Sequence, residues 1–200
     1  MDNTFDTALL SLLSSNVQWA DQVKAKDPDF FVNSAKAQTP KILWLGCADS
    51  RVPESVVTAS APGDIFVHRN IANQFHSDDA SALSVLQFAV ESVGVQHACY
   101  DLAHSQSATP PPILTTHLGR WLSPLVSLAG ELGPLEDRSK AVLRLIEKNV
   151  KMQVQTICET ETIRKAWSNG KNVRVHGWIY ALETGILRDL DISQGLERAI

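Results

Sequence analysis

Residues 41–55 read KILWLGCADSRVPES. The run KILWLGC is short, apolar on both alternating faces, and bounded by Pro40 and Gly46, as expected of a strand buried inside a parallel sheet. PESVVTASAPG follows as a short helix or turn and ends at Pro62-Gly63. DIFVHRN then reads as a second strand, with Ile65 and Val67 alternating. Asp78-Asp79 leads into ASALSVLQFAVESVGV, an amphipathic helix with Gly94 just past its end. Strand, helix and strand at these intervals imply βαβ units and a parallel sheet over residues 41–95.

On the amino side, residues 1–36 carry two helical segments that form an N-terminal arm. FDTALLSLLSSNVQWADQVKA has apolar positions at helical spacing, and DPDFFVNSAKAQ has an acidic, proline-bearing start. On the carboxyl side the pattern weakens. VQHACYDLAHSQSATPPP offers no clean strand before its triple proline. HLGRWLSPLVSLAGEL is helical around Pro124, and residues 135–170 form a long helical tract ended by Asn169-Gly170. Residues 173–190, VRVHGWIYALETGILRDL, read as a closing hairpin that turns at Glu183-Thr184-Gly185 and extends the sheet or covers its edge. The expected fold class is therefore α/β. It is a single domain over 1–200, with a mostly parallel central sheet flanked by helices and a helical N-terminal arm.

Composition bounds the function. A chain of 200 residues with 44% apolar and 20% charged residues can bury a core of its own. The net charge is −4 and Lys and Arg are scattered singly, so nucleic acid is not an expected partner. No apolar run approaches a membrane span. The first residues, MDNTFDTALLSLLSSN, contain two aspartates and neither Lys nor Arg, unlike a secretory or mitochondrial leader. The expected location is the cytoplasm. The three cysteines, Cys47, Cys99 and Cys158, do not suggest a disulfide framework. Cys158, in the helical pattern VQTICETETIRKAW, reads as core filler.

Cys47 is different because of its neighbours. In open α/β sheets, ligands bind outside the carboxyl ends of strands. A cysteine placed there can bind zinc as a thiolate, and Asp49 can ligate the same ion. Arg51 carries a planar fork that can clamp Asp49 instead, leaving the metal's fourth position to water. The alternative reading is a buried cysteine beside a surface Asp–Arg pair. Residues alone leave both open.

The combined stretch GCADSRVPES…PGDIFVHRNIANQF resembles the β class of carbonic anhydrases, which carries C-x-D-S-R-V-P followed by G-D-[IL]-F-V-x-R-N-x-A-N. The likeness extends through the N-terminal arm, the late helices and the final hairpin. It implies Zn2+ as cofactor with Cys47 and Asp49 as metal-binding positions. It implies Asp49 and Arg51 as the catalytic gating dyad, and Gln38 and Phe66 as the lining of a small substrate pocket shared across a dimer. It implies carbon dioxide and bicarbonate as substrates, and a homodimer or higher homo-oligomer as the working state. Zinc would supply hydroxide at neutral pH by lowering the pKa of bound water to about 7.

The family's remaining two ligands form H-x-x-C after a later apolar strand. Nothing in the chain matches that motif, and the strand with its ligand turn is expected to be absent, as if excised between His97 and Ala98. His97 and Cys99 are the substitute ligands to test, since H-x-C on a strand would face one way. His68, His76, His104, His117 and His176 read as core, loop or surface residues. Two functional readings follow: a zinc-dependent carbonic anhydrase, or a catalytically impaired family member that has lost half its zinc site. A third is an α/β module binding an anion at Arg51 and Arg69.

Overall fold

A computed structural model describes residues 4–104, 115–132 and 137–196, with residues 4–6, 103 and 104 described by backbone alone. The chain divides into two compact units, Met1–Gln38 and Thr39–Ile200. In the first, α1 (Thr4–Lys26) is followed by α2 (Phe30–Ser34), as the helical arm predicted. Lys24 and Lys26 occupy the last turn of α1, where cations complement the helix dipole. Trp19 and Phe30 each meet Phe31 edge-on, at 5.7 and 5.2 Å between ring centroids. Leu9, Leu10, Leu12, Leu13 and Val17 are exposed along α1.

The second unit is built on five strands: β1 (Ile42–Cys47), β2 (Ile65–Asn70), β3 (His97–His104), β4 (Arg174–Ala181) and β5 (Ile186–Asp189). Their order is β2-β1-β3-β4-β5. The first four are parallel and β5 closes the edge antiparallel to β4, so the terminal hairpin extends the sheet. The short helix α3 (Glu54–Val57) joins β1 to β2, and α4 (Ala80–Gln87) runs on as a π-helical segment, Phe88–Val93, before β3. Gly94 then takes φ 81°, the left-handed helix stop that its position predicted. After β3 come α5 (His117–Trp121), α6 (Ser123–Glu131), α7 (Arg138–Glu159) and α8 (Glu161–Ser168). His117 thus opens a helix rather than sitting in a loop.

The largest correction concerns β3. The segment read as lacking a strand is the centre of the sheet, pairing with β1 from Ile42↔His97 to Leu45↔Tyr100 and with β4 along its whole length. No strand has been excised between His97 and Ala98. His104 ends this strand and is not in a helix or loop. A central parallel strand is normally apolar on both faces, and HACYDLAH is apolar on one. Ala98, Tyr100 and Leu102 join Leu43, Leu45, Val175 and Ile179 in the core, under the buried face of α7 with Ile146, Val150, Val154 and Ile157. Burying each large apolar side chain contributes roughly 1.5–3 kcal/mol. Cys158 belongs to the same cluster, as expected of core filler.

The opposite face holds Trp44, Cys99 and Asp101, all buried, and the half-buried His176 and Trp178. Trp44 and Trp178 meet edge-on at 5.9 Å. A Cβ on Gly46 would fall 2.3 Å from Trp44 Nε1, so glycine is what lets this indole lie along the strand. On the core side, a Cβ on Gly177 would fall 2.9 Å from Val150 Cγ1, so α7 can approach β4 closely there.

Candidate functional site

β1 stops at Cys47 because the next residues turn away from the ladder. Ala48 N–H still donates to Asn70 O at 2.7 Å, which ties the ends of β1 and β2 together. Val52 N–H donates to Asp49 O at 3.1 Å and closes the turn. Arg69, from β2, holds that turn from beneath. Its Nε donates to Cys47 O at 2.8 Å and its Nη2 to Asp49 O at 2.5 Å, while Nη1 lies 3.8 Å from Glu54 Oε2.

Above this base, Arg51 and Asp49 form the predicted fork. Arg51 Nε donates to Asp49 Oδ1 at 3.0 Å and Nη2 to Oδ2 at 2.7 Å, and the Arg51 backbone N–H adds a third bond to Oδ1 at 2.9 Å. The guanidinium hydrogen bond holds the Asp49 carboxyl below the usual carboxylate range, against a smaller opposing effect of burial. Asp49 is therefore an acceptor at neutral pH. Arg51 and Arg69 thus each direct two guanidinium donors at partners within this turn.

The connector after β2 is pinned by a buried polar network. Ala72 and Asn73 adopt φ 56° and 42° in a tight turn. Asn73 Nδ2 bridges Leu45 O and Asp101 O, each at 2.6 Å, stitching the turn to β1 and β3 just below Cys47. Tyr100 donates its hydroxyl to Asn73 O and accepts from Asn149 Nδ2 at 3.2 Å. Gln74 bonds Asn149, and Gln153 accepts from Phe75 N–H at 3.1 Å. Sequence reading missed Arg69, Glu54 and Asn73 as supports of the site. The available signal was position, since Arg69-Asn70 end β2 beside Cys47.

The other expected residues fall as follows. Phe66, on β2, is half-buried, packs on the core and stands 5.9 Å from the Phe88 ring. Gln38 is exposed and ends the first unit. His97 and Cys99 do not join Cys47. Continuing the β1–β3 ladder puts Cys47 level with Leu102, three residues beyond Cys99, or roughly 10 Å along the strand. Cys99 also faces the side of the sheet opposite Cys47, is buried, and has its thiol pushed up to about 12, chiefly by burial. His97 instead bonds His176, Nδ1 to Nε2 at 3.0 Å, and His176 Nδ1 meets Ser193 Oγ at 2.7 Å. Burial and the neighbouring His97 and Arg174 lower the His176 pKa.

Zinc normally takes three or four N, S or O ligands. Among the described residues no group of three His, Cys, Asp or Glu side chains is placed to hold a metal. Cys47 and Asp49 stand together at the strand end, and the β3 backbone brings His104 to the same end of the sheet. The donors present make part of a zinc set, not a complete one.

This architecture is a mostly parallel sheet with an Asp–Arg fork at the carboxyl end of its second strand in space. The model of the carbonic anhydrase family matches residues 42–187. A carbonic anhydrase of Emericella nidulans is 34% identical over 190 residues, covering 91% of this chain and 83% of that protein. The Saccharomyces cerevisiae carbonic anhydrase is 30% identical, covering 90% and 87%. Among solved structures, a tetrameric β-carbonic anhydrase of Sordaria macrospora superposes with a TM-score of 0.82 at 33% identity, covering 96% of this chain and all of that one. A β-carbonic anhydrase of Aspergillus fumigatus gives 0.83 at 33% identity, covering 94% and 92%. The chain belongs to the carbonic anhydrase family, in its β class.

Proposed function

We propose that this chain is a zinc-dependent carbonate dehydratase, interconverting carbon dioxide and bicarbonate. Cys47 is a metal ligand, Asp49 and Arg51 gate the metal's open position, and Gln38 and Phe66 are substrate-lining residues contributed from the neighbouring subunit of a dimer. The observation that carries the reading is the three-bond Arg51–Asp49 fork beside Cys47 in a chain of this family. Arg51 keeps Asp49 ionised and holds both its carboxylate oxygens, so Asp49 would leave the metal's open position to water. The carboxylate is then an oriented acceptor for the proton of a water or of bicarbonate. Arg69 fixes the Cys47–Asp49 turn so that both groups keep this geometry. Zinc, when bound, makes hydroxide available near neutral pH.

The working state in this reading is a homo-oligomer in the cytoplasm. The tetrameric relatives of Sordaria macrospora and the exposed leucines of α1 support the oligomer. Among the described residues, no helix is long and apolar enough to cross a membrane.

A second reading, a catalytically impaired family member, is favoured by one observation: the incomplete donor set around Cys47. Stopped-flow carbon dioxide hydration by the zinc-supplemented 200-residue chain separates the two. Hydration above the buffer rate that is lost in Cys47→Ser supports the enzyme. Buffer-level hydration at stoichiometric zinc supports the impaired form.

A further inference from the structure

β5 flanks the second half of β4, and the chain beyond β5 runs on beside the first half. Leu190 N–H donates to Gly177 O at 3.0 Å. Asp191 then takes φ 55°. Val175 and Gln194 exchange both backbone hydrogen bonds, at 2.8 and 2.9 Å, as an antiparallel bridge. One step along that bridge sets Ser193 opposite His176, in a pair whose side chains approach closely. Ser193 Oγ lies 2.7 Å from His176 Nδ1, and His176 Nε2 lies 3.0 Å from His97 Nδ1. A hydroxyl and two imidazoles from three separate segments thus form one continuous line. It shares no residue with the Cys47–Asp49–Arg51 site.

A serine hydroxyl becomes a useful nucleophile when an adjacent base takes its proton and a third group orients that base. With Ser193 donating to His176 Nδ1, His176 carries its own proton on Nε2 and gives it to His97 Nδ1, which fixes the tautomer. Burial is the main cause of the lowered His176 pKa, so its Nδ1 is free to accept a proton at neutral pH. Ser193 also opens on a cleft of about 840 Å³, lined by residues 193–196 with Trp167, Asn172 and Arg174. The Trp167 indole is fixed by its Nε1 donating to Val173 O at 2.8 Å. Arg174 is the one charged residue in that lining. It is exposed, and its guanidinium has no hydrogen-bond or ion-pair partner among the described residues. Arg174 and His176 are two apart on β4 and so share a face of the sheet. A Cβ on Gly195 would fall 3.0 Å from Arg174 Cγ, so this glycine lets the terminal segment lie against the arginine.

We propose that Ser193, His176 and His97 form a second reactive centre that hydrolyses small carboxylic esters bearing a free anionic group. Ser193 is the nucleophile, His176 the general base, His97 the positioning residue that holds it, and Arg174 the partner of the substrate's anion. Ser193 Oγ bonds to the ester carbonyl carbon while its proton passes to His176 Nδ1, and the carbonyl π pair moves to oxygen. Collapse breaks the bond to the leaving alcohol, whose oxygen takes that proton from Nδ1. Water then gives a proton to Nδ1 and attacks the acyl-serine. The acid leaves, and the proton returns to Ser193 Oγ. The sum is ester plus water to acid plus alcohol, with no metal and no redox change. The centre is independent of zinc at Cys47.

The probes are mono-para-nitrophenyl glutarate, which has a free carboxylate, and the neutral para-nitrophenyl butyrate. Nitrophenolate release is followed on the 200-residue chain with and without excess chelator, and mass spectrometry of the digested protein locates the acyl group. The chain should hydrolyse the glutarate ester equally under both conditions and carry the acyl group on Ser193. Ser193→Ala should lower kcat/KM by about 100-fold or more, the scale of a lost acid–base step. Ser193→Cys keeps a nucleophile and should still be acylated at that position as a thioester, which covers a failure of the alanine variant to fold. His97→Ala should lower kcat, and His97→Gln, which keeps an acceptor for His176 Nε2–H, should restore much of it. Arg174→Gln should raise KM for the glutarate ester by about 5-fold, the scale of an exposed ion pair, and leave the butyrate ester unaffected. Acyl groups found only on other residues would overturn the proposal. So would equal hydrolysis by wild type and Ser193→Ala, or hydrolysis that disappears with the chelator.

Discussion

Tyr100 and Asp101 are consecutive residues of the central strand, and they meet opposite fates. Tyr100 faces α7 and is buried in a network where its hydroxyl gives one hydrogen bond and takes another. Asp101 faces the other side, is 1% exposed, and neither carboxylate oxygen has a hydrogen-bond partner among the described residues. Burial pushes its pKa up to about 7, against a smaller lowering by the Tyr180 backbone N–H. The core face of the sheet is thus built with matched donors and acceptors around Tyr100. The opposite face tolerates a buried acid by holding its proton. A polar group inside a sheet is stabilising where it is paired and costly where it is not.

The largest expected effect breaks the paired side. Asn73→Ala removes the amide that bridges Leu45 O and Asp101 O and leaves alanine at a φ of 42°. It should cost about 2–5 kcal/mol, from two lost buried hydrogen bonds plus backbone strain. Urea unfolding measures this, and a loss no larger than a surface substitution would mean that the network does not anchor the turn.

Asp101→Asn sharpens the unpaired side through its pH dependence. The folded pKa, about 7, stands above the ordinary carboxylate value of 3.8. The folded chain therefore holds this proton more tightly than the unfolded chain. The associated stability is full below about pH 4, is lost progressively as the pH rises to about 7, and is constant above that. Asp101→Asn should match wild type below about pH 4 and exceed it above about pH 7, by a few kcal/mol at about 1.4 kcal/mol per pKa unit. Paired unfolding curves at the two ends of this range check it. A gain independent of pH would show that the acid is not the cause.

The smallest effect on stability is expected at the fork itself. The Arg51 side chain is 56% exposed, and exposed pairs contribute little to folding. Arg51→Ala should leave the unfolding midpoint nearly unchanged while the Asp49 carboxyl titrates closer to its ordinary value, since the guanidinium hydrogen bond is the main cause of its depression. NMR titration of Asp49 reads this. A large loss of stability would make the fork a structural element rather than a poised one.

Much of the molecule was legible in the amino-acid sequence, because local patterns reported it. KILWLGC and DIFVHRN are strands, the helix from Ala80 stops at Gly94, and the late tract is helical. The Asp49–Arg51 pair is two residues apart, so its geometry is nearly local and could be anticipated. The central strand was not legible as an apolar run, since HACYDLAH has His97, Cys99 and Asp101 on one face. Its signal was the fainter alternation of Ala98, Tyr100 and Leu102. Only the tertiary structure decided that this segment lies between β1 and β4, because pairing with two strands distant in sequence supplies the hydrogen bonds and burial that local propensity does not. The same pairing put Cys99 on the far face from Cys47 and brought the His104 backbone to the end of the sheet where Cys47 sits. Sequence alone determines which donors exist in this protein, and long-range strand register determines which of them can meet.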